Sequence, residues 1–304
     1  MRVIVAGATG VLGRATMPQL RAAGHEVRGF ARHPDGQQDV VALDLLDRDA
    51  VLALAADWRP EAIVHLATEI PTEAGRGDVA AQFAATNRLR TEGTRILLDA
   101  AKAGGGARLV SQSIAFVNRP GEGPAGEDVP LRDDPGDPLT MAAQPIAELE
   151  RLTLQADGTV LRFGQLYGPG TMFAADGGFG RLAARGRLPI LHRHGRSSTF
   201  SFVHADDAGS AVVAAIASDA RGVFNIVDDE PATVDEWLPV LAAARGGRKP
   251  RRIPAWLARP MAGAYGIAFM TDLRGATNAK ARAELGWTPS IPSWRQGFGA
   301  GTAG

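Results

Sequence analysis

The chain of 304 residues contains no cysteine. Disulfides, thiolate metal sites and a cysteine nucleophile are therefore excluded, and no metal site is expected. Net charge is also missing, because 33 Lys and Arg stand against 33 Asp and Glu. Such a balance lacks the basic surface that nucleic acid or an anionic membrane would require. No apolar run reaches about 18 residues, so no segment reads as a membrane span. Residues 2–6 run straight into glycines and are too short for the apolar part of a signal peptide. The expectation is a soluble, cytoplasmic protein that acts on a small molecule. Phenols and ammonium groups are scarce: the tyrosines are Tyr167 and Tyr265, and the lysines are Lys102, Lys249 and Lys280. Chemistry that needs the two groups side by side has few residues to draw on.

What is present is ordinary for a folded chain. Apolar residues at 45% and charged residues at 22% exclude a mostly disordered protein. Residues 2–6 (RVIVA) predict a buried strand, 11–23 an amphipathic helix stopped by Gly24, and 25–30 a second strand. The alternation continues with strand 40–43, helix 47–56, strand 62–66, a long helix over 78–103, strand 107–110, helix 139–156 and strand 159–162. Connections this short imply right-handed crossovers, hence an α/β fold with a doubly wound parallel sheet. Segment 118–138, rich in proline and glycine, predicts a loop long enough to have a binding role or to be disordered. Later segments predict helices near 178–185, 204–218 and 233–244 and a strand at 223–227; beyond Gly246 they are short and interrupted. The basic cluster at Arg248, Lys249, Arg251 and Arg252 is expected to be a solvated loop.

Gly7, Ala8, Thr9, Gly10, Val11, Leu12 and Gly13 fall between the first strand and the first helix. There the backbone must turn tightly and approach a pyrophosphate, and a helix N-terminus offers free N–H groups and the positive end of its dipole. Glycine permits the dihedrals and removes the Cβ that would hold a phosphate away. Spaced in this way in the first βα turn, the glycines predict a Rossmann-like dinucleotide site. An acidic residue near the end of the second strand would repel a 2′-phosphate; this chain has Ala31, Arg32 and His33 there. Arg32 can pair with a 2′-phosphate through its planar fork, with Arg14 nearby, so NADP is expected rather than NAD. Residues 1–168 are then the nucleotide-binding domain. Residues 169–304 are mainly a smaller C-terminal substrate-binding lobe, with about 204–227 returning to the core.

With these residues the chain resembles the short-chain dehydrogenase/reductase superfamily in its extended, epimerase/dehydratase-like form, over nearly its whole length. Asp44 and Leu45 resemble the strand-three pair that reads the adenine, and Leu66, Ala67 and Thr68 the strand-four end that walls the cofactor. Asn87, with Gly93, Leu97 and Leu98, resembles the long fourth helix. Ser111, Gln112 and Ser113 are similar to the fifth-strand serine cluster, whose third position orients the substrate oxygen. Residues 162–170 (RFGQLYGPG), with Phe163 and Gln165, look like the nicotinamide-side segment. Residues 202–207 (FVHADD) and 281–287 (ARAELGW) look like the C-terminal landmarks. The resemblance implies a catalytic tyrosine and a lysine four residues later. Counted back from Glu148, those positions hold Thr140 and Gln144. Threonine is a far weaker acid than a phenol, and glutamine carries no charge to tune it.

Ser113 could still polarise a carbonyl, and Gln144 could bond the nicotinamide ribose as a neutral partner. Tyr167 is the substitute acid, with core packing as its alternative. Glu69, Gln112, Thr140 and Gln165 fall where substrates collect at the strand ends, and His192 and Arg196 in a substrate-side loop. His204 and Asp206 are expected to fix the lobe to the sheet. These residues suggest a reductase of a small metabolite with non-standard acid/base groups, since oxidation-first epimerases and dehydratases need a strong base at the outset. The alternatives are a non-redox isomerase or cyclase that keeps the nucleotide as a wall, and a silent nucleotide sensor or partner subunit. Helices over 78–103 and 139–156 lie where members of this family pair, so the resemblance implies a homodimer face with Ala84, Ala85, Leu89 and Leu97; the alternative is that the same residues cover the sheet.

Overall fold

The computed structural model describes residues 1–37, 39–70 and 79–299. The first strand, β1 (Arg2–Ala6), is buried from Val3 onward, as a strand covered on both faces must be. It is followed by α1 (Val11–Ala22), β2 (Glu26–Ala31), β3 (Val40–Ala42), α2 (Arg48–Trp58) and β4 (Ala62–His65). Then come α3 (Val79–Arg88), α4 (Thr94–Ala103), β5 (Arg108–Ile114), α5 (Thr140–Gln155) and β6 (Thr159–Phe163). The later chain supplies β7 (Gln165–Tyr167), α6 (Gly178–Ala184), β8 (Ile190–His192), β9 (Thr199–Phe200), β10 (Phe202–His204), α7 (Ala205–Ala217) and β11 (Gly222–Ile226). It closes with β12 (Ala232–Thr233), α8 (Val234–Ala244), β13 (Arg252–Pro254), α9 (Ala255–Thr271), α10 (Ala279–Glu284) and α11 (Trp294–Gly299).

Seven strands form one parallel sheet in the order β11-β6-β5-β4-β1-β2-β3. Period-two alternation sends Val3 and Val5 to one face, against Leu12, Met17 and Leu20 of α1 and Ala208 and Val212 of α7. Ile4, Ile63 and Leu109 face the other way, onto Val51 and Ala55 of α2 and Ile96, Leu97 and Ala100 of α4. The strand order reverses between β1 and β4, and such a switch point opens a crevice at the strands' carboxyl ends. Ala6 lies opposite both Phe30 and His65 in the register. Gly7, Arg32 and Leu66 are thereby brought to one edge of the sheet.

The C-terminal lobe has its own aromatic core of Tyr167, Phe173, Phe200, Phe202, Trp237, Trp294 and Phe298. Three short strand pairs tie it together: β7 with β10, β9 with β12 and β8 with β13.

Three segments differ from the sequence expectation. The helix expected over 78–103 is divided by a π-helical turn at Leu89–Gly93 (Asp78 lies outside the described residues). Gly93 lies so close to the strand-end loop that a Cβ there would come 2.7 Å from Leu45 Cδ2. Leu97 is wholly buried against the sheet and cannot belong to a dimer face. Secondly, the region expected to be short, interrupted pieces holds helical backbone over Ala255–Thr271, but α9 is two helical stretches that Gly263 separates with φ +63° and ψ −179°, so the interruption is present as expected. Ala258, Ala268 and Met270 on either side are buried. Thirdly, residues 118–138 carry no helix or strand yet form a strap. Glu127 accepts the Asn225 backbone N–H at 2.7 Å, Asn225 Nδ2 donates to the Ala125 carbonyl at 3.1 Å, and Ala125 bridges to Ala276. The strap covers the free edge of β11. Among the described residues no helix is long and apolar enough to cross a membrane.

Candidate nucleotide site and active site

The turn after β1 is fixed by its own backbone. Gly7 and Ala8 both donate to the Phe30 carbonyl, at 3.0 and 3.2 Å. Gly7 adopts φ +84°, and a Cβ on it would come 2.7 Å from the Ala67 backbone. A Cβ on Gly13 would come 2.3 Å from the Gly7 carbonyl oxygen. Gly10 occupies the N-cap position of α1, where no side chain accepts from the first-turn N–H groups. The concavity, lined by backbone donors at a helix N-terminus and closed to any larger residue, fits a pyrophosphate. Arg14 is folded back: its Nε donates to the Thr9 carbonyl at 2.8 Å, and its fork pairs with Asp35.

Arg32, one residue past β2, pairs with Glu69 at 3.0 Å, both side chains being about half exposed. Glu69 therefore stands beside Arg32, one strand position from the glycine turn, rather than on the substrate side; its own N–H is held by Thr86 Oγ1 at 2.8 Å. Asp44 Oδ1 accepts the Leu46 N–H at 2.9 Å and shapes the loop that buries Leu45. Leu66 is buried and Ala67 touches the glycine turn, so these residues and Thr68 wall the crevice from the β4 side.

At the other end, β5 turns its serines toward α5. Ser111 Oγ accepts from Thr153 Oγ1 at 2.8 Å, and Ser113 Oγ donates to Glu150 Oε1 at 2.6 Å. Glu150 is held in turn by a bidentate pair with Arg162 at 2.8 and 2.7 Å, and all three residues are buried. Glu148 points outward, to Arg95 and Arg151. The face of α5 that carries Glu150 continues back through Ile146 and Ala142, both buried and apolar. Gln144 is exposed on the opposite side and so does not face the crevice. Thr140 is buried, but its hydroxyl is spent on the Asp134 carbonyl at 2.7 Å. Phe163 is in the sheet core. Gln112 Oε1 and Gln165 Nε2 are buried without hydrogen-bond partners among the described residues.

The family model for the NAD dependent epimerase/dehydratase family matches residues 3–227. The chain belongs to that family. It is 47% identical to a 3-diazoavenalumate denitrifying reductase from Streptomyces sp, over 98% of this chain and 99% of that protein. Its fold matches the UDP-glucose 4-epimerase of Thermus thermophilus solved with NAD, with a TM-score of 0.74, 23% identity and coverage of 99% and 98% of the two chains. A human epimerase family protein solved with NADPH gives a TM-score of 0.75 at 22% identity, covering 99% of each chain. The family and the reductase relative make this chain an oxidoreductase or epimerase/dehydratase-like enzyme.

For this family member several sequence expectations need correction. Tyr167 takes its packing alternative and not the role of substitute acid. It is 1% exposed, edge-on to Phe202, Phe298 and His204, with its hydroxyl unpartnered among the described residues. Burial, with Asp228 and Asp207 nearby, pushes its pKa above that of an ordinary phenol, so it is a poorer proton donor. His192 is tied to Asp235 at 2.7 Å, which also accepts from Ser197 at 2.7 Å and pairs with Arg252 at 2.7 Å. Arg196 lies exposed on the hairpin that follows. The lobe is fixed to the sheet by Asp207, which accepts from Ser290 N and Oγ and from Ile291 N at 2.8, 2.6 and 3.0 Å. His204 and Asp206, expected in that role, contribute differently: the Asp206 N–H donates to His204 Nδ1 at 3.3 Å, the Asp206 carbonyl accepts from Gln19 of α1 at 2.8 Å, and His204 lies opposite Tyr167 in the β7–β10 pair.

Sequence reasoning missed a second cluster above β4. Arg90, in the π turn, is 5% exposed, and burial lowers its pKa to about 10. His65, at the end of β4, bonds the Leu89 carbonyl at 3.2 Å, and burial lowers its pKa to about 4, so it is neutral. Tyr265 reaches in from α9 and packs on Ile114, Ala142, Ala143 and Ile146. The only sequence signal was a pair of arginines, Arg88 and Arg90, in the stretch between Asn87 and Gly93.

Proposed function

We propose that the chain is an NADP(H)-dependent reductase whose substrate accepts a hydride without a phenolic acid from the protein, the diazo group of an organic acid being the best fit. The observation that carries this reading is the apolar inward face of α5. Ala142 and Ile146 lie where an acid and its tuning cation would have to point, and the Ser113 hydroxyl is committed to Glu150. The residues present suit the cofactor. The glycine turn and the N-terminus of α1 would hold the pyrophosphate, Arg32 a 2′-phosphate, and Leu66, Ala67 and Thr68 the wall beside it. When bound, the reduced nicotinamide supplies a hydride, and an aryl diazonium that takes one up yields the arene and dinitrogen with no proton required. The protein's task is then to orient the acceptor and keep the crevice apolar, and the Streptomyces relative's name describes a denitrifying reduction of this kind.

The test is NADPH oxidation and dinitrogen release with an aryl diazonium carboxylate, read above the enzyme-free rate. One NADPH should be consumed per dinitrogen, and Thr140→Val should change kcat less than about threefold, since that hydroxyl is already committed to a backbone carbonyl. Epimerisation of a sugar nucleotide without net NADPH consumption, and no diazo turnover, would overturn the proposal.

A further inference from the structure

Three arginines of the described chain are almost fully buried, and two of them have carboxylates. Arg162 is paired with Glu150, and Arg132 with Asp137. Arg90 has none among the described residues. Its hydrogen bond is to the neutral amide oxygen of Asn87, at 3.3 Å. Its charge acts on the neutral His65 and on the phenol of Tyr265. Taking a guanidinium out of water without a counter-charge is strongly unfavourable, and buried charges are ordinarily paired.

Its surroundings say what kind of ligand. Arg90 stands in a π turn, a feature often retained at functional sites, beside the carboxyl end of β4, where the crevice opens. Half-buried rings line the same place. Phe83 of α3 lies 5.8 Å from Tyr265, Tyr265 stacks on Phe269 at 6.3 Å and 13°, and Phe116 meets Phe269 edge-on at 5.9 Å. Ile114, Ala142 and Ile146 supply the floor. Phe83 and Tyr265 pack on each other and so present one half-buried apolar wall near an unpaired cation, a combination that suits the ring and the carboxylate of an aromatic acid.

We propose that Arg90 receives the carboxylate of an aromatic acid substrate, with the packed pair of Phe83 and Tyr265 as the apolar wall against which its ring lies. This deepens the reductase reading above and rests on it for the word substrate. The geometry assigns Arg90 to binding, not to the chemical step.

The test titrates NADPH-loaded protein with 4-hydroxycinnamate and with its neutral amide by calorimetry. Wild type should bind the acid at least tenfold more tightly than the amide. Arg90→Met should abolish that preference while leaving NADPH affinity and Tm unchanged or Tm raised, because an unpaired buried charge is gone. A merely structural arginine would instead lower Tm and leave any preference intact. Arg90→Lys, which keeps the charge without the fork, should reduce the preference at least threefold and decides the matter if the Met variant does not fold. Equal binding of acid and amide by wild type, a preference that survives in a folded Arg90→Met protein, or one that is undiminished in Arg90→Lys, would overturn the proposal. Diazo turnover without the acid preference refutes Arg90 alone, and the preference without turnover refutes the reductase reading alone.

Discussion

Replacing Glu69 with glutamine should strengthen NADPH binding while leaving NADH binding nearly unchanged. In the structure the Arg32 fork is taken by the Glu69 carboxylate at 3.0 Å, with both side chains about half in solvent. A 2′-phosphate that uses Arg32 must share it with that carboxylate. Two anions on one guanidinium stand roughly 6 Å apart, and in a water-like dielectric each unit-charge pair repels by about 0.7 kcal/mol. A phosphate monoester carries about −1.5 to −2 charges at pH 7. Salt screening then leaves a net penalty of roughly 0.5–1 kcal/mol. Glu69→Gln should remove it, tightening NADPH about two- to fivefold. Arg32→Ala should weaken NADPH by about 1–3 kcal/mol, the loss of a charge-assisted hydrogen bond, with NADH again little affected. In the double variant the Glu69 effect should shrink, because without the shared guanidinium nothing holds the 2′-phosphate close to residue 69. Calorimetric titration of the four proteins with both nucleotides gives the full cycle. An Arg32→Ala protein that binds NADPH like wild type, or a Glu69→Gln protein that tightens NADH equally, would refute the reasoning.

Three further outcomes are expected. Glu150→Ala leaves Arg162 buried without its partner and should cost about 3–5 kcal/mol of stability, read by urea denaturation; a loss below about 1 kcal/mol would show that the pair is relieved by solvent. Asp228 is 2% exposed, and burial, outweighing hydrogen bonds from Glu230 N and Trp294 N, pushes its carboxyl up to about 8. The folded protein therefore holds a proton that the unfolded chain releases near pH 4. This group makes stability fall as pH rises from about 4 to about 8, by up to about 1.4 kcal/mol per pH unit, and contributes no slope above. Asp228→Asn should flatten that slope in denaturation series at pH 5, 6, 7 and 8, and parallel profiles would refute the assignment. Tyr167→Phe removes an unpartnered buried hydroxyl, so Tm should hold or rise and turnover should change less than about twofold; a large drop in kcat would restore Tyr167 as the acid.

The nucleotide half of the site was legible because close approach of backbone leaves a mark in composition. Only glycine fits at positions 7 and 13, where a Cβ would strike Ala67 or the Gly7 carbonyl. The active-site half was less so. Glu148 and Glu150 are two residues apart, which on a helix is a rotation of about 200°, so counting from the wrong one turns the expected pair away from the crevice. Which glutamate looks inward is decided by Arg162, a partner on another strand. Arg90 reads in sequence as one more solvated helix charge, and the π turn that accompanies its inward placement has no local signature. His192 is spoken for by Asp235, 43 residues further on, a pairing set by the lobe's packing.

The strap at 118–138 has a consequence for how the chain could be divided. It holds β11 through Asn225, about a hundred residues further along, and meets Gly275 and Ala276 beyond that. A fragment cut after residue 168 would keep the glycine turn but lose β11. It would expose the β6 edge from Thr159 to Phe163, which β11 covers in the sheet, and leave the strap with nothing to grip. Such a bare edge invites pairing between copies. Residues 1–168 thus carry the glycine turn without being a unit of solubility, and truncation to them should yield aggregates rather than a minimal binding domain.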